Sequence, residues 1–523
     1  MVRIILLCVL MIGSTMLRAA EATQVVTYPL ASCYQQGEQH TLRVGETEVP
    51  VQAFTPIYDF THFSFSGRQT VTITVNEEIT NYTITPLSLG LKATVDGNKL
   101  SFDIEGSRYL IVKINNLKEL AIAGDNLETE VPDSEGEGIY NILSKPYKAD
   151  KKGKKPSTVA IQTAIDDACR NGGGIVYVPV GLYYCGNLVL RSNVHIYMEG
   201  GAVIRGTGNP KDYITHYRKE SLQMDGTWFI YTDENTSNIK IYGRGTIDGN
   251  GSYMRNQHKY LNNLLMPMQC SGFTVDGITF IDSGLWGVIP TRCDHVLLQN
   301  TKHYNENDKD HEDDSIDIQE CRHVLVRHTI AIAEDDTYST KTWTHTTDIA
   351  DKWYGDPEPL DDVTFDDCLG WSRCATFKLG FGVEQDQTNL RFVNSTSYKS
   401  MRAIAVNHKW GKGIARNVVF DNIDIEGFWP RDKNNSRWLE IYLQAPETVE
   451  DIVIRNVRVR DKGNTPSIIK GYDAKHPLKN IILENIYMYD RNVPAYSLEE
   501  MNITDVNKYI ERLQLIQTYH ANR

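Results

Sequence analysis

The sequence lacks an apolar run long enough to cross a membrane. The run from Ile4 to Ile12, which follows Arg3, is well short of the roughly 20 residues that a spanning helix needs. Small residues follow it up to Ala22, which is typical of a cleaved secretory signal. We therefore predict a signal peptide over residues 1–22, no membrane span, and a secreted or periplasmic protein.

An excess of positive charge is also absent. Lysine and arginine number 54 against 67 acidic residues, which gives a formal net charge of −13 and argues against nucleic acid as a partner. With 41% hydrophobic and 23% charged residues, the composition is that of a folded soluble protein. A chain of 523 residues predicts either two domains or an elongated repeat with an appendage. We expect a monomer.

Cysteine pairs with metal-binding spacing are missing. The cysteines after the predicted signal contain no CxxC pair: Cys33, Cys169, Cys185, Cys270, Cys293, Cys321, Cys368 and Cys374. A zinc site therefore lacks support, and we expect neither a metal nor another cofactor. Because Cys270, Cys293 and Cys321 each lead into a strand-like run, we predict buried stacked thiols rather than a disulfide framework.

Short alternating stretches of polar and apolar residues follow the predicted signal. A hairpin turn signal at Asp96 to Lys99 separates two of them. This predicts a small β-sandwich domain over residues 23–140. One amphipathic helix follows, capped by Ser157 or Thr158 and ended by Gly172 to Gly174. We interpret this helix as a lid over the end of a stack of strands.

The strongest pattern is an internal repeat of strand-like units without a helical segment. The first apolar residue of each unit is its anchor, and the residue before each anchor is Asn, Asp, His or Gly, as in a turn that enters a strand. The anchors are Ile239, Phe273, Val296, Val324, Val363, Leu390, Val418, Ile452 and Ile481. Their spacing varies from 23 to 39 residues, which favours a parallel coil of strands over a propeller with regular blades. We predict an all-β chain with a parallel β-helix over residues 150–500 and a C-terminal helical tail over residues 501–523.

Two acidic clusters lie within this repeat. Asp313-Asp314 precedes an apolar alternating run and Asp335-Asp336 follows it, so the clusters are about one turn of the coil apart. Because residues one turn apart lie roughly 4.8 Å from each other, we expect these acids to meet. Their mutual repulsion would then yield one protonated donor and one ionised base. A calcium-binding turn is the alternative. For the other acids of this loop we expect a solvated turn: Asp308, Asp310 and Glu312.

Several segments from about Ser157 to Asp490 resemble the polygalacturonases and their relatives, the right-handed parallel β-helix glycosidases of family 28. They include "AIQTAIDDACRNGGGIVYVPVGLYYCGNLVLRSNVHIYMEGGAVI", "GRGTIDGNG" and "GLWGVIPTRCDHVLLQNTKH". Glu312 to Asp317 resembles the family's Asn-Thr-Asp motif, and Glu334 to Asp336 resembles its Asp-Asp pair. The resemblance implies a right-handed coil and an inverting glycoside hydrolase that cleaves a polysaccharide or oligosaccharide, with a galacturonan-like pectic glycan as its substrate.

The same resemblance implies roles for single residues. Asp335 would be the general acid, while Asp314 and Asp336 would position and activate the water. The candidates for substrate binding are Lys341, Lys378, Arg402 and His408. Tryptophans at or beyond strand ends are candidates to stack on sugar faces, and we expect about half of them to be ordinary packing: Trp343, Trp371, Trp410, Trp429 and Trp438.

The later motifs depart from family 28. Ala375 stands where the family's Gly-His-Gly has its histidine, and no Arg-x-Lys follows Arg402. The sandwich ahead of the β-helix is also similar to the family 49 dextranases, whose substrates are neutral glucans. The alternatives are therefore a dextranase-like hydrolase of a neutral glycan, a calcium-dependent polysaccharide lyase on the same scaffold, and a β-helix that binds glycans without cleaving them. We expect the insertion from Lys341 to Asp361 to wall off the cleft and favour exo action.

Overall fold

The computed structural model describes residues 24–305, 312–429 and 435–518, and strands make up most of them. The predicted signal peptide lies outside these described ranges, as do Asp308 and Asp310. Within the ranges, no helix has both the length and the apolar character that a bilayer crossing requires.

Two sheets form the N-terminal domain, and their apolar faces enclose a separate core that includes Val44, Phe63, Ile73 and Leu110. One sheet contains Val25–Thr27, Gln35–Gln36, Gln52–Ala53, Tyr58–Phe65, Tyr82–Thr85, Arg108–Ile114 and Glu119–Asn126. The other contains His40–Val44, Thr47–Val49, Arg68–Val75, Ala93–Asp96 and Lys99–Glu105. Its strands alternate between buried and exposed residues, as the sequence predicts for one half of a sandwich.

A parallel coil of strands follows, and in the described residues its longest sheet has 18 members. They are Ile139–Asn141, Gly174–Val178, Gly181–Cys185, Val194–Met198, Ala202–Gly206, Ser237–Gly243, Thr246–Asp248, Ser271–Asp276, Thr279–Ile281, Asp294–Gln299, Lys302–Tyr304, Arg322–Ala333, Leu360–Ser372, Gln387–Ser400, Ala415–Phe428, Val449–Val459, Leu478–Met488 and Ile510–Ile516. A seven-stranded sheet contains Ile316–Gln319, Tyr338–Thr342, Ala375–Val383, Arg402–His408, Arg437–Leu443, Ser467–Lys470 and Ile503–Val506. A four-stranded sheet contains Leu188–Leu190, Tyr217–Lys219, Met224–Thr232 and Tyr260–Met266.

The anchors of the sequence repeat stack on one another in the longest sheet. Each anchor pairs with the next in parallel register, from Ile239 with Phe273 to Ile452 with Ile481. All of them are buried in one continuous core. The predicted repeat and its parallel stacking are therefore confirmed, and burial of a column of apolar side chains explains why variable spacing between anchors is tolerated.

The residue before every anchor adopts the left-handed backbone conformation. Its φ lies between 53° and 74° at Asn238, Gly272, His295, His323, Asp362, Asn389, Asn417, Asp451 and Asn480. This conformation is costly for most side chains but is tolerated by Gly and by the short polar residues Asn and Asp. The turn chemistry predicted from the sequence is thus confirmed, with two histidines in positions that are elsewhere mostly Asn or Asp.

The predicted lid is the helix Thr158–Arg170, which begins after Ser157 and buries Ile161, Ala164, Ile165 and Ala168 against the end of the core. The only other α-helix of the described residues is Gly251–His258, and two short 3₁₀ helices cover Leu87–Leu89 and Pro210–Asp212.

The predicted C-terminal helical tail is wrong over the described residues 501–518. Ile503–Val506 and Ile510–Ile516 are strands that continue the coil, because Leu513 pairs with Ile481 and extends the anchor column by one turn. The strand Ile139–Asn141 likewise pairs with Gly174–Val178, so the parallel coil begins before residue 150.

The two domains share a buried interface. Tyr58, Phe60 and Tyr109 pack against Tyr304 and Trp371 of the coil. The interface also buries charge, since the Lys302 ammonium donates to Asp125 at 2.6 Å. The N-terminal domain is therefore fixed against the side of the coil.

The cysteines are free thiols throughout the described residues, as predicted. In the stack, the backbone N–H of Cys293 lies 3.3 Å from the sulfur of Cys321 one turn later. Burial and the neighbouring Cys321 raise the pKa of Cys293 well above its usual value, so this thiol is inert packing.

Candidate active site

A cavity of about 640 Å³ opens beside the first three strands of the seven-stranded sheet. Five of the residues predicted from the sequence line it: Asp314, Asp335, Asp336, Lys341 and Lys378. Apolar and aromatic side chains make up much of the remaining wall. This combination of charged side chains and aromatic rings around one concavity is typical of a small-molecule or glycan site.

The register of two neighbouring strands brings the acids together. Ile316 pairs with Tyr338, and the same register continued two residues upstream places Asp314 opposite Asp336. The backbone N–H of Ser315 donates to the carbonyl of Asp336 at 2.9 Å, which fixes this alignment. The two clusters therefore meet on adjacent turns, as the spacing of the sequence predicts.

Lys341 joins Asp314 to a fourth acid. Its ammonium donates to the Asp314 carboxylate and, at 2.9 Å, to Asp317 Oδ1, and all three side chains are buried. Burial and the nearby Asp317 raise the pKa of Asp314 well above its usual value, against the opposing effect of Lys341. Because two carboxylates share one ammonium, Asp314 has a raised proton affinity within this cluster.

Asp336 lies in a different electrostatic environment. Its Oδ2 accepts a hydrogen bond from Lys378 Nζ at 2.5 Å, and its Oδ1 accepts one from the backbone N–H of Ala375 at 3.1 Å. Burial alone would raise the pKa of Asp336, but Lys378 and Lys341 outweigh it and lower this pKa below the usual value. Asp336 is therefore ionised at neutral pH.

Asp335 is held by its backbone and presents its carboxyl group to the cavity. The carboxylate Oδ1 of Asp313 accepts the backbone N–H groups of Glu334 at 2.8 Å and of Asp335 at 3.1 Å. On the other side, the Ser372 hydroxyl donates to the Asp335 carbonyl at 2.6 Å. The side chain of Asp335 is half-buried. A fixed backbone with a partly exposed carboxyl is suited to proton transfer with a bound molecule.

Asp313 is buried beneath this turn and does not line the cavity. Burial, Glu334 and Asp335 raise the pKa of Asp313 well above its usual value, against two backbone N–H donors. Asp313 therefore orients the turn rather than contacting a ligand.

Aromatic rings form one side of the cavity. Trp286 and Trp343 stack with ring centroids 6.4 Å apart, and Trp410 lies 5.9 Å from Trp343. Trp410 is 45% exposed, whereas the other two are almost fully buried. The exposed part of the Trp410 side chain is therefore a candidate surface for stacking on a sugar ring.

The predicted insertion forms part of the cavity wall beside these rings. Thr347 and Ile349 line it, together with Lys219 and Ser221 from a hairpin much earlier in the chain. The two segments are tied together, because the backbone N–H of Glu220 donates to Asp348 Oδ2 at 2.8 Å. The insertion therefore forms one wall of the cavity together with this hairpin.

The central part of the coil is similar to a known family of proteins. Residues 184–355, which include the three cavity aspartates and Lys341, match the model of the glycosyl hydrolases family 28. The chain is family 28-like. The exo-poly-alpha-D-galacturonosidase of Dickeya chrysanthemi is 37% identical over 122 residues, which cover 22% of this chain and 20% of that protein. The matched part thus spans about a fifth of the length of this curated relative.

Solved structures extend the likeness in fold to both domains. The family 28 exopolygalacturonase of Yersinia enterocolitica has a TM-score of 0.56 at 15% identity, with 86% of this chain and 96% of that chain covered. Dex49A from Penicillium minioluteum has a TM-score of 0.61 at 11% identity, with 93% of this chain and 95% of that chain covered. The right-handed parallel β-helix with an N-terminal sheet domain, predicted from the sequence, is confirmed.

The basic residues predicted to bind substrate differ in whether they reach the cavity. Lys378, three residues after Ala375, points to Asp336. Arg402 instead pairs with Glu440 at 2.8 Å, and His408 is fully buried and donates to the Gly413 carbonyl at 2.8 Å. Neither Arg402 nor His408 lines the cavity, so the geometry does not support their predicted role in substrate binding.

Two tryptophans on the predicted list are ordinary core residues of this family 28-like coil. Trp371 and Trp438 are 2% and 0% exposed. Trp429 packs on Trp371, with ring centroids 5.7 Å apart, and does not line the cavity. Trp343 and Trp410 do line it, so the expectation that about half of the five would be packing is close to the outcome.

Several site residues are missed by sequence reasoning. Glu312, expected in a solvated turn, lines the cavity and pairs with Lys219 at 3.4 Å. Lys219 comes from a hairpin in the four-stranded sheet and carries no local signal. Trp286 lies in the segment "GLWGVIP", which belongs to one of the segments that resemble family 28. This position is the signal in the sequence that could have identified Trp286 as a site residue.

A metal would have to compete with the protein's own cations here. Among the described residues, Asp335, Asp336 and Cys374 offer ligand atoms within 4.8 Å of one another. The Lys378 ammonium already occupies Asp336 Oδ2, and burial raises the pKa of the Cys374 thiol well above its usual value. This donor set does not fit calcium, which prefers several oxygen ligands without an ammonium among them.

Proposed function

We propose that the protein is a secreted glycoside hydrolase that cleaves a galacturonan-like pectic glycan with inversion of the anomeric carbon. Asp335 donates a proton to the leaving oxygen, while Asp336, positioned with Asp314, activates the attacking water. The observation that carries this proposal is the pairing of Lys378 with Asp336 beside the half-buried Asp335 in one cavity. Hydrolysis requires a proton donor and an ionised base, and Lys378 keeps Asp336 in the ionised state that the base needs.

The pectic substrate and exo action are inferred from two further observations. The curated relative from Dickeya chrysanthemi and the solved structure from Yersinia enterocolitica are named as an exo-acting galacturonosidase and an exopolygalacturonase. In this chain, the insertion and the hairpin that carries Lys219 narrow one side of the cavity. A cleft narrowed in this way accepts a chain end more readily than the middle of a polymer.

A product analysis tests this function directly. We expect the purified protein to release monosaccharide or short oligosaccharide from polygalacturonate, with the product's initial anomeric configuration inverted in time-resolved proton NMR. A parallel incubation with dextran tests whether a neutral glucan is cleaved instead. Oligogalacturonides labelled at the reducing end show from which end of the chain sugar is released. Retained configuration would overturn the inverting mechanism, and an unsaturated product that absorbs in the ultraviolet would establish a lyase instead.

A hydrolase of a neutral glycan is the second candidate, and one observation favours it. Each lysine that lines the cavity already faces a carboxylate: Lys219 faces Glu312, Lys341 faces Asp314, and Lys378 faces Asp336. In the described part of the chain, Lys409 stands at the rim with its Nζ 4.6 Å from the Trp410 ring centroid and no carboxylate oxygen within 4.0 Å. A uronate carboxylate would therefore have to compete with these acids for a cation, whereas a neutral sugar would not. Release of sugar from dextran but not from polygalacturonate would establish this candidate.

The exposed ring of Trp410 provides a test of substrate stacking. We expect Trp410→Ala to raise KM about two- to tenfold with little change in kcat, because a lost ring contact is worth about 0.5–1.5 kcal/mol and the ring takes no part in proton transfer. Steady-state kinetics on the best substrate of the screen measure this effect. Tyr496→Ala is the matched control, since Tyr496 is 67% exposed and does not line the cavity. An unchanged KM in Trp410→Ala would rule out stacking on this ring.

A further inference from the structure

Two histidines interrupt a column of amides on the outside of the coil. The left-handed residues before the anchors stack from turn to turn, and their side chains bond to one another or to a neighbouring aspartate. Asn238 donates to Asn193 at 2.9 Å, and Asn480 donates to Asp451 at 2.6 Å. On two adjacent turns this column instead carries His295 and His323.

Imidazole groups do not continue the amide column, and their arrangement is different. The two rings lie with centroids 4.7 Å apart at 31°, and both Nδ1 atoms point at one carboxylate oxygen. Asp294 Oδ1 is 2.7 Å from His323 Nδ1 and 3.0 Å from His295 Nδ1. Three potential ligand atoms from adjacent turns thus converge within 4.8 Å of one another.

We propose that Asp294, His295 and His323 form a surface site for a divalent transition metal ion of the zinc type. Two imidazole nitrogens and a carboxylate oxygen are a ligand set that suits such ions. Tetrahedral bonds of about 2.0–2.1 Å place neighbouring ligand atoms about 3.3 Å apart, close to the spacings within this cluster. Binding of the ion would replace the hydrogen bonds that the two imidazoles now share with Asp294.

The surroundings leave the fourth coordination position accessible. His295 and His323 have side chains that are 67% and 50% exposed. On the preceding turn the same column holds Gly272, which has no side chain to cover the site. Water or a ligand oxygen therefore completes the coordination.

Such an ion would link the two turns that lead to the cavity acids. His295 lies in the strand Asp294–Gln299, which precedes Asp314 in the chain, and the strand that contains His323 ends immediately before Glu334 and Asp335. Binding to the folded chain alone would raise its thermal stability by mass action.

The proposal is tested on the full-length protein after treatment with EDTA and buffer exchange. We expect isothermal titration with zinc chloride at pH 7.5 to show one tight equivalent, and the melting temperature to rise with zinc. In the double variant His295→Asn/His323→Asn we expect the affinity for that equivalent to fall at least a hundredfold. Asn occupies the same left-handed position on other turns, so this variant restores the amide column and should fold.

A matched control separates this site from incidental zinc binding. His476→Asn removes a histidine whose Nδ1 also lies 2.9 Å from an aspartate, Asp473, but which has no second imidazole beside it in the described residues. We expect this variant to bind zinc as the wild type does. Equal zinc affinity and equal zinc-induced stabilisation in the wild type and the double variant would overturn the proposal.

Discussion

Asp335→Asn should lower kcat by about a thousandfold or more without unfolding the protein, because a positioned general acid contributes about 10²–10⁴ to the rate. An amide is almost isosteric with the carboxyl group but has no acidic proton to give to the leaving oxygen. Asp335 is half-buried, and its backbone is held by Asp313 and Ser372, so the turn keeps its shape in the variant.

Initial rates and circular dichroism on the same preparation measure this effect and check folding. Asp451→Asn is the matched control, because Asp451 is an exposed left-handed residue where Asn is equally suited and lies outside the cavity. Substantial activity in Asp335→Asn would contradict its assignment as the acid. A substrate with a good leaving group, which needs less protonation, should restore part of the rate if the assignment is right.

Lys378→Met should move the acidic limb of the pH–rate profile to higher pH by about 1–3 units. Lys378 is the main group that lowers the pKa of Asp336 against burial. Loss of an adjacent opposite charge raises a carboxyl pKa by about 1–3 units. The base works only when ionised, above its own pKa, so a higher pKa removes activity from the acidic side first.

The same substitution should lower stability. A carboxylate whose folded pKa is depressed stabilises the fold above its unfolded pKa, and this contribution is lost as the pH falls through the folded value. Without Lys378, Asp336 becomes a buried charge without its nearest partner, which costs about 3–5 kcal/mol. We therefore expect the melting temperature of Lys378→Met to fall most at neutral pH and least in acid.

Two further variants test whether the effect of Lys378→Met comes from the loss of positive charge beside Asp336. Lys378→Arg keeps the charge beside Asp336 and should retain an acidic limb near that of the wild type. Lys409→Met removes a rim lysine that does not contact Asp336 and should leave the limb in place. A uniform loss of activity in Lys378→Met, with an unchanged limb, would show that Lys378 does not set the ionisation of Asp336.

The architecture was readable from the sequence because its signals are local and repeated. Each anchor is an apolar residue directly after a turn residue that tolerates the left-handed conformation, as at Asn389-Leu390 and Asn417-Val418. Such a pair specifies a strand entry without reference to distant residues, and stacking then follows from burial of the anchors. The predicted C-terminal helix is wrong because Leu513 lies in a strand that forms by pairing with the strand of Ile481, a long-range contact.

The proximity of the acids is also predictable from the sequence, since a fixed parallel register places Asp314 opposite Asp336. The ionisation states of these acids are not predictable from the sequence. Asp314 and Asp336 are both buried aspartates. Only the tertiary structure shows that Asp314 shares Lys341 with Asp317, whereas Asp336 accepts a hydrogen bond from Lys378. The same holds for Arg402 and His408, which the coil turns toward Glu440 and the Gly413 carbonyl. The sequence alone determined the coil and the list of acids, because both depend on local pattern and register. The tertiary structure decided which acid is charged and which cations reach the cleft, because burial and distances of a few ångströms between distant segments determine both.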